Sequence, residues 1–113
     1  MTFQDKTVVV TGAGRGIGKA IALAFARQGA NLAVCAMHED TIKPVAGEIE
    51  ALGRQAHWAV TDVADEDAVT QFAADTYEKF GAVHVVVNNA GMTRDNLFLR
   101  MKTDMWDHVL AVN

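Results

Sequence analysis

An apolar run, Val8-Val9-Val10, passes directly into Thr11-Gly12-Ala13-Gly14-Arg15-Gly16-Ile17-Gly18. No other stretch restricts the fold as much. A buried strand that breaks into a glycine-rich turn and reopens as a helix brings main-chain N–H groups together with no side chains in the way. The helix opening near Ile17 directs its partial positive end to the same place. A pyrophosphate is the anion that such a turn receives.

The rest of the chain alternates two kinds of segment. Short, mostly β-branched runs read as strands at Thr7–Thr11, Asn31–Met37, Ala56–Val60 and His84–Asn88. The first, second and fourth are almost continuously apolar, as strands covered on both faces of a parallel sheet must be. Helical patterns lie between them. Ile17, Ile21, Ala24 and Phe25 form one stripe, with Gly29 at the position of a C-terminal cap. Ile42, Val45, Ile49 and Leu52 form a second, ended by Gly53, and Pro44 within it fits only in a first helical turn. Val69, Phe72, Ala73, Thr76 and Phe80 form a third, opened by Asp65 and ended by Gly81. A fourth helix is expected to be capped by Thr103 and to hold Trp106, Val109 and Leu110.

The order β-α-β-α-β-α-β-α predicts an α/β fold of the Rossmann type, a doubly wound parallel sheet of about four strands in the order 3-2-1-4 with flanking helices. Ligands of such sheets bind where the strand order reverses, between strands 1 and 4. Both rims of that crevice are in the sequence, as Gly12–Gly18 and Asn88-Asn89-Ala90-Gly91.

Composition narrows the function classes. The 113 residues suit one domain or part of one. The net charge of −4 disfavours nucleic acid and anionic membranes as partners, though not a nucleotide held locally. Cys35 is the single cysteine, inside an apolar run, and reads as a small buried hydrophobe. His38, His57, His84 and His108 are scattered without ligand spacing, so no metal site is expected. There is no signal-like N-terminus and no apolar stretch long enough to span a membrane, which makes the cytoplasm the default location.

Each motif has a plain alternative. The glycines at 12, 16 and 18 read G-x-x-x-G-x-G, with Gly14 extra, and depart from the usual dinucleotide G-x-G-x-x-G because Ile17 stands at its third glycine. Asn88-Asn89-Ala90-Gly91 alone is an ordinary turn, although its carboxamides can bond main chain and ligand together. Asp62, at the end of the third strand, can accept from the exocyclic amine of an adenine, or it belongs with Asp65, Glu66 and Asp67 to an acidic helix start. Tyr77, followed by Lys79, is expected to be surface or rim packing on the third helix.

Taken together, Thr11–Gly18, Asp62-Val63, Asn88–Gly91 and Asn113 resemble the classical short-chain dehydrogenases/reductases in order and spacing across the whole chain. Thr93-Arg94-Asp95-Asn96-Leu97, with Arg100-Met101-Lys102 and Trp106, is similar to the branch that reduces 3-oxoacyl groups on acyl carrier protein; acetoacetyl-CoA reductases share a like stretch. The resemblance implies an NAD(P)-binding fold, hydride transfer to a ketone, and an acyl carrier protein or CoA thioester as substrate. It implies that Gly12, Ala13, Gly14, Arg15, Gly16 and Ile17 hold the pyrophosphate and adenosine ribose. Asp62 and Val63 would hold the adenine, and Asn89, Ala90 and Gly91 would line the ribose. Asn113 matches the asparagine that holds a water in the family's proton relay. His84 stands where many relatives have aspartate.

Cofactor choice has a physical basis. An acid at the end of the second strand bonds the ribose 2′-hydroxyl of NAD. Here that position is Ala36, followed by Met37, and Arg15 can pair with a 2′-phosphate. NADP(H) is therefore favoured over NAD(H). The family's chemistry also uses a serine and a tyrosine with a lysine four residues later, which lowers the tyrosine's pKa. This chain has no serine, and Tyr77 lacks that lysine.

The resemblance thus implies an N-terminal dinucleotide-binding part, residues 1–113, of a single Rossmann domain whose catalytic half is absent. Such a chain is expected to be inactive alone, to leave its fourth strand with an open edge that invites pairing, and to be a homo-oligomer in full-length form. Two alternatives stand beside it. One is a dinucleotide-binding fragment that catalyses nothing. The other is a different nucleotide-using α/β enzyme such as a methyltransferase, in which Asn88–Gly91 has no task.

Overall fold

The computed structural model describes residues 2–90 and the strand 110–112. Its elements run β1 (Thr7–Thr11), α1 (Gly16–Arg27), β2 (Asn31–Ala36), α2 (Glu39–Ala51), β3 (Ala56–Val60), α3 (Glu66–Phe80), β4 (Val85–Asn88) and β5 (Leu110–Val112). All pairings are parallel and the order is β3-β2-β1-β4-β5. The expected 3-2-1-4 arrangement is present.

The alternation of side chains along β1 explains its unbroken apolar run. Val8 and Val10 face one layer, where they pack with Leu32 and Val34 of β2 beneath α1 and α2. Val9 faces the other layer, with Ala33, Cys35 and Val86 beneath α3. Both faces are covered, so the middle of each central strand is apolar, and the polar residues Thr7, Thr11, Asn31 and Asn88 stand at strand ends.

α3 forms as its sequence dictates. The Asp65 side chain accepts from the N–H groups of Asp67 and Ala68, and Gly81 ends the helix at φ 78°. Its buried face is Val69, Phe72, Ala73, Thr76 and Tyr77. Tyr77 is therefore core, at 4% exposure, and not rim packing. Its ring fills the layer between α3 and the sheet that the stripe defines.

Three further expectations are corrected. The buried face of α1 is Gly18, Ala22, Leu23 and Ala26, whereas Ile17 is 74% exposed and Ala24 is exposed. The helix lies close to β1 and β2 on small residues, which moves its apolar stripe by about one position. Pro44 is the sixth residue of α2, counted from Glu39, and lies in the second turn. Its ring removes the bond to the Asp40 carbonyl, and Asp40 is exposed, so water reaches that oxygen. Leu110 is in a strand rather than a helix, and β5 covers the edge of β4 that was expected to be open. The other residues of the expected fourth helix, Thr103, Trp106 and Val109, lie outside the described residues.

Candidate functional site: a crevice at the strand ends

The C-terminal ends of β1 and β4 meet at one hydrogen-bonded junction. Thr11 Oγ1 donates to Asn88 Oδ1 at 3.2 Å and accepts from the Ala90 N–H at 3.1 Å. Asn89 Nδ2 donates to the Gly12 carbonyl at 3.1 Å. The two consecutive carboxamides thus hold the end of β1 at two successive residues, Asn88 at Thr11 and Asn89 at Gly12. Ala13 is buried and its N–H donates to the Cys35 carbonyl at 3.0 Å, which ties the glycine turn to β2.

The turn itself is shaped by its glycines. Gly12 has φ 62° and Gly16 has φ 60°, both in the left-handed region. Gly18 has a different reason. A Cβ there would run into the Gly12 carbonyl oxygen and stand 2.6 Å from Asn89 Nδ2. The helix and the turn therefore approach as closely as backbone allows.

Electrostatics favour an anion at this turn. The first turn of α1 has no acidic residue, whereas α2 opens with Glu39 and Asp40 and α3 with Glu66 and Asp67. Its N-cap, Arg15, is extended and makes no side-chain cap, so the first amides of α1 keep no intrahelical acceptor. Among the described residues nothing lies within 4 Å of a Cβ placed on Gly16, which leaves room beside those amides. The fit to a pyrophosphate group is good on this count.

A cavity of about 360 Å³ opens at this end of the sheet. Gly12, Gly14 and Arg15 line it from the turn, Val63 from beyond β3, and Ala90 from beyond β4. Ala36, Met37 and His38 line it where β2 ends, and Met37 is 60% exposed. Gly16 and Ile17 stand at the start of α1 beside it. Asp62 is exposed and is turned inward on its own loop, where its carboxylate accepts from the Ala64 N–H at 2.9 Å. Gly91 and Asn113 lie outside the described residues.

Two lining residues carry no motif, Thr41 in the first turn of α2 and Thr61 just after β3. Thr61 was reachable from the rule that ligands of open α/β sheets sit beyond the carboxyl ends of strands. Thr41 had no such signal. Cys35 is near but takes no part: burial pushes its thiol up to about 12, against smaller opposing effects from hydrogen bonds to Gly12 and Thr61. It stays a neutral thiol. Among the described residues no group of His, Cys, Asp and Glu is placed to hold a metal ion.

The model of the short-chain dehydrogenase family matches residues 6–113. The chain belongs to this family. It is 44% identical over 111 residues to the 3-oxoacyl-[acyl-carrier-protein] reductase of Staphylococcus epidermidis, covering 97% of this chain and 46% of that protein. It is 46% identical over 111 residues to the "Probable oxidoreductase EphD" of Mycobacterium bovis, covering 98% of this chain and 19% of that one. The chain therefore spans less than half the length of the curated relatives it matches. Among solved structures, an alcohol dehydrogenase of Thermococcus sibiricus in complex with 5-hydroxy-NADP superposes with a TM-score of 0.71 at 40% identity, over 74% of this chain and 36% of that one. An NAD+-bound xylitol dehydrogenase superposes at 0.78 with 33% identity, over 80% of this chain and 35% of that one. The fold is thus that of Rossmann-type short-chain dehydrogenases, some of which have been seen with NADP-type and others with NAD cofactors. Among the described residues no helix is long and apolar enough to cross a membrane.

Proposed function

We propose that the crevice binds NADP(H), and that the chain is the dinucleotide-binding part of a reductase of 3-oxoacyl thioesters carried on acyl carrier protein or CoA. The observation that carries the cofactor reading is the end of β2. Ala36 and Met37 line the cavity where an acid would bond a ribose 2′-hydroxyl, and Arg15 lines it from the turn. Arg15 is exposed and has no ion pair among the described residues. Glu39 and Asp40 are not among the residues lining the cavity.

In this reading the turn from Gly12 to Ile17 holds the pyrophosphate and the adenosine ribose, with Ala13 anchoring it to β2. Val63, with Asp62, borders the adenine, and Asn89, Ala90 and Gly91 border the ribose. Bound NADPH supplies hydride for the ketone. Asn113 would hold the relay water. The thioester substrate is supported by the likeness to the staphylococcal reductase. The chain has no serine, and Tyr77, its one tyrosine, is buried on the sheet-facing side of α3. The purified 113 residues are therefore expected to bind dinucleotide without oxidising NADPH in the presence of an acetoacetyl thioester. The full-length protein in this reading is a cytoplasmic homo-oligomer.

The test is a titration of the parent chain and Arg15→Ala with NADPH and NADH. A charge-assisted contact at an exposed arginine is worth roughly a factor of ten in affinity. The parent should bind NADPH about tenfold tighter than NADH, and Arg15→Ala should lose that margin while its NADH affinity stays within about threefold. Equal affinities in the parent, or no loss in the variant, would refute the NADP reading.

A further inference from the structure

Three of the turn's four glycines have a backbone reason to be glycine. Gly12 and Gly16 have positive φ, and Gly18 faces the Gly12 carbonyl. Gly14 has neither reason. Its φ is not in the left-handed region, and what a Cβ there would meet is a side chain. It would stand 2.6 Å from Thr41 Oγ1, 3.0 Å from Thr41 Cβ and 3.1 Å from Ala36 Cβ.

Thr41 cannot yield cheaply. It is β-branched and lies in the first turn of α2, where few side-chain rotamers are open to it. Its Oγ1 donates to the His38 carbonyl at 2.9 Å, and turning the hydroxyl away from Gly14 gives up that bond. Both His38 and Thr41 line the cavity, as do Gly14 and Arg15. The start of α2 and the glycine turn therefore rest directly on one another.

We propose that Thr41 is a positioning residue of this crevice: it braces the turn that carries Arg15, and it is Thr41, not a bound pyrophosphate, that demands glycine at position 14. The pair 14 and 41 is then coupled, so that a side chain at 14 is tolerated once 41 is small. Thr41 itself touches the turn and sets the height of Arg15 above the end of β2. The effect on dinucleotide choice rests on the NADP(H) reading above; the packing of 14 against 41 needs no ligand.

The experiment is a melting cycle without cofactor on the parent chain, Gly14→Ala, Thr41→Gly and the double variant, followed by NADPH and NADH titrations with Thr41→Ser added. Overpacking should lower the midpoint of Gly14→Ala by on the order of 10 °C. The same change made in the Thr41→Gly background should lower it by no more than about 2 °C. If Gly14→Ala alone does not fold, folding of the double variant is the same rescue. Thr41→Gly should weaken NADPH binding roughly threefold to tenfold and NADH binding less, with Thr41→Ser restoring the parent ratio because it keeps the hydroxyl. An unchanged midpoint for Gly14→Ala, an equal fall in both backgrounds, or failure of both variants to fold overturns the proposal. If no protein in the set binds a dinucleotide, the functional reading falls, and the melting cycle still decides the role of Thr41.

Discussion

His84 joins the two central strands at the end opposite the crevice, and it makes stability depend on pH. The Thr7 N–H donates to His84 Nδ1 at 3.0 Å, while the His84 N–H donates to the Thr7 carbonyl at 2.9 Å. The first bond exists only while Nδ1 has no proton. Burial lowers the imidazole pKa below its ordinary value, and the charge of Lys6 lowers it further. In the unfolded chain the ring gains its proton near pH 6.5; in the fold it resists until lower pH. The bond's contribution is therefore complete above about pH 6.5 and is lost as pH falls through the depressed folded value.

The size of the loss follows from Thr7, which is 3% exposed. Its N–H would be left without an acceptor where water does not reach it, at a cost of about 1–2 kcal/mol. For a chain of this length that is a fall in melting temperature of roughly 4–8 °C. His57 falls in the same direction, because burial also lowers its pKa, so the parent must be compared with a variant that lacks only the His84 contribution. Asparagine at 84 places a carboxamide oxygen where Nδ1 stands and accepts from Thr7 at every pH. Melting curves of the parent and His84→Asn between pH 8 and pH 5 should run parallel at the alkaline end and diverge by that amount at the acid end. Curves that remain parallel throughout would falsify the assignment.

Other positions give sharp expectations. Gly18→Ala forces a methyl against the Gly12 carbonyl and the Asn89 amide, so it should destabilise by about 3 kcal/mol in urea unfolding; a change under about 0.5 kcal/mol would refute the close approach. Pro44→Ala restores a donor for the Asp40 carbonyl in the second turn of α2 and should raise stability by about 1 kcal/mol after the entropy gained by the unfolded chain is subtracted. Asp65→Ala removes an acceptor from the Asp67 and Ala68 N–H groups and should cost about 1 kcal/mol, visible as earlier amide exchange in the first turn of α3.

Much of this architecture could be read from local rules acting together. α3 was legible because its cap, stripe and terminal glycine agree on one helix. The central strands were legible because both faces are covered and every residue between their polar ends is apolar. Where residue size opposed hydropathy the reading slipped. α1 packs through Gly18, Ala22 and Ala26, too small to stand out as a stripe, while the larger Ile17 is exposed. β5 is three residues long, and Leu110-Ala111-Val112 has no period that separates strand from helix. At the site, the glycine turn and Asn89 announced themselves by spacing. Thr41 did not, because its contact with Gly14 depends on how α2 is set down beside the turn, which no local pattern encodes.

The junction at Thr11 also bears on the order of assembly. Its hydroxyl bonds Asn88 and Ala90, 77 and 79 residues further along the chain. During synthesis β1 emerges first, yet its end stays unfinished until β2, β3 and the whole of α3 have been made and β4 has been inserted beside it. Closing so long a loop is entropically costly and makes parallel sheets slow to complete. The crevice is therefore among the last features to exist, and a ligand that fits it binds only chains whose central strands have already closed, drawing the folding equilibrium toward completion by mass action.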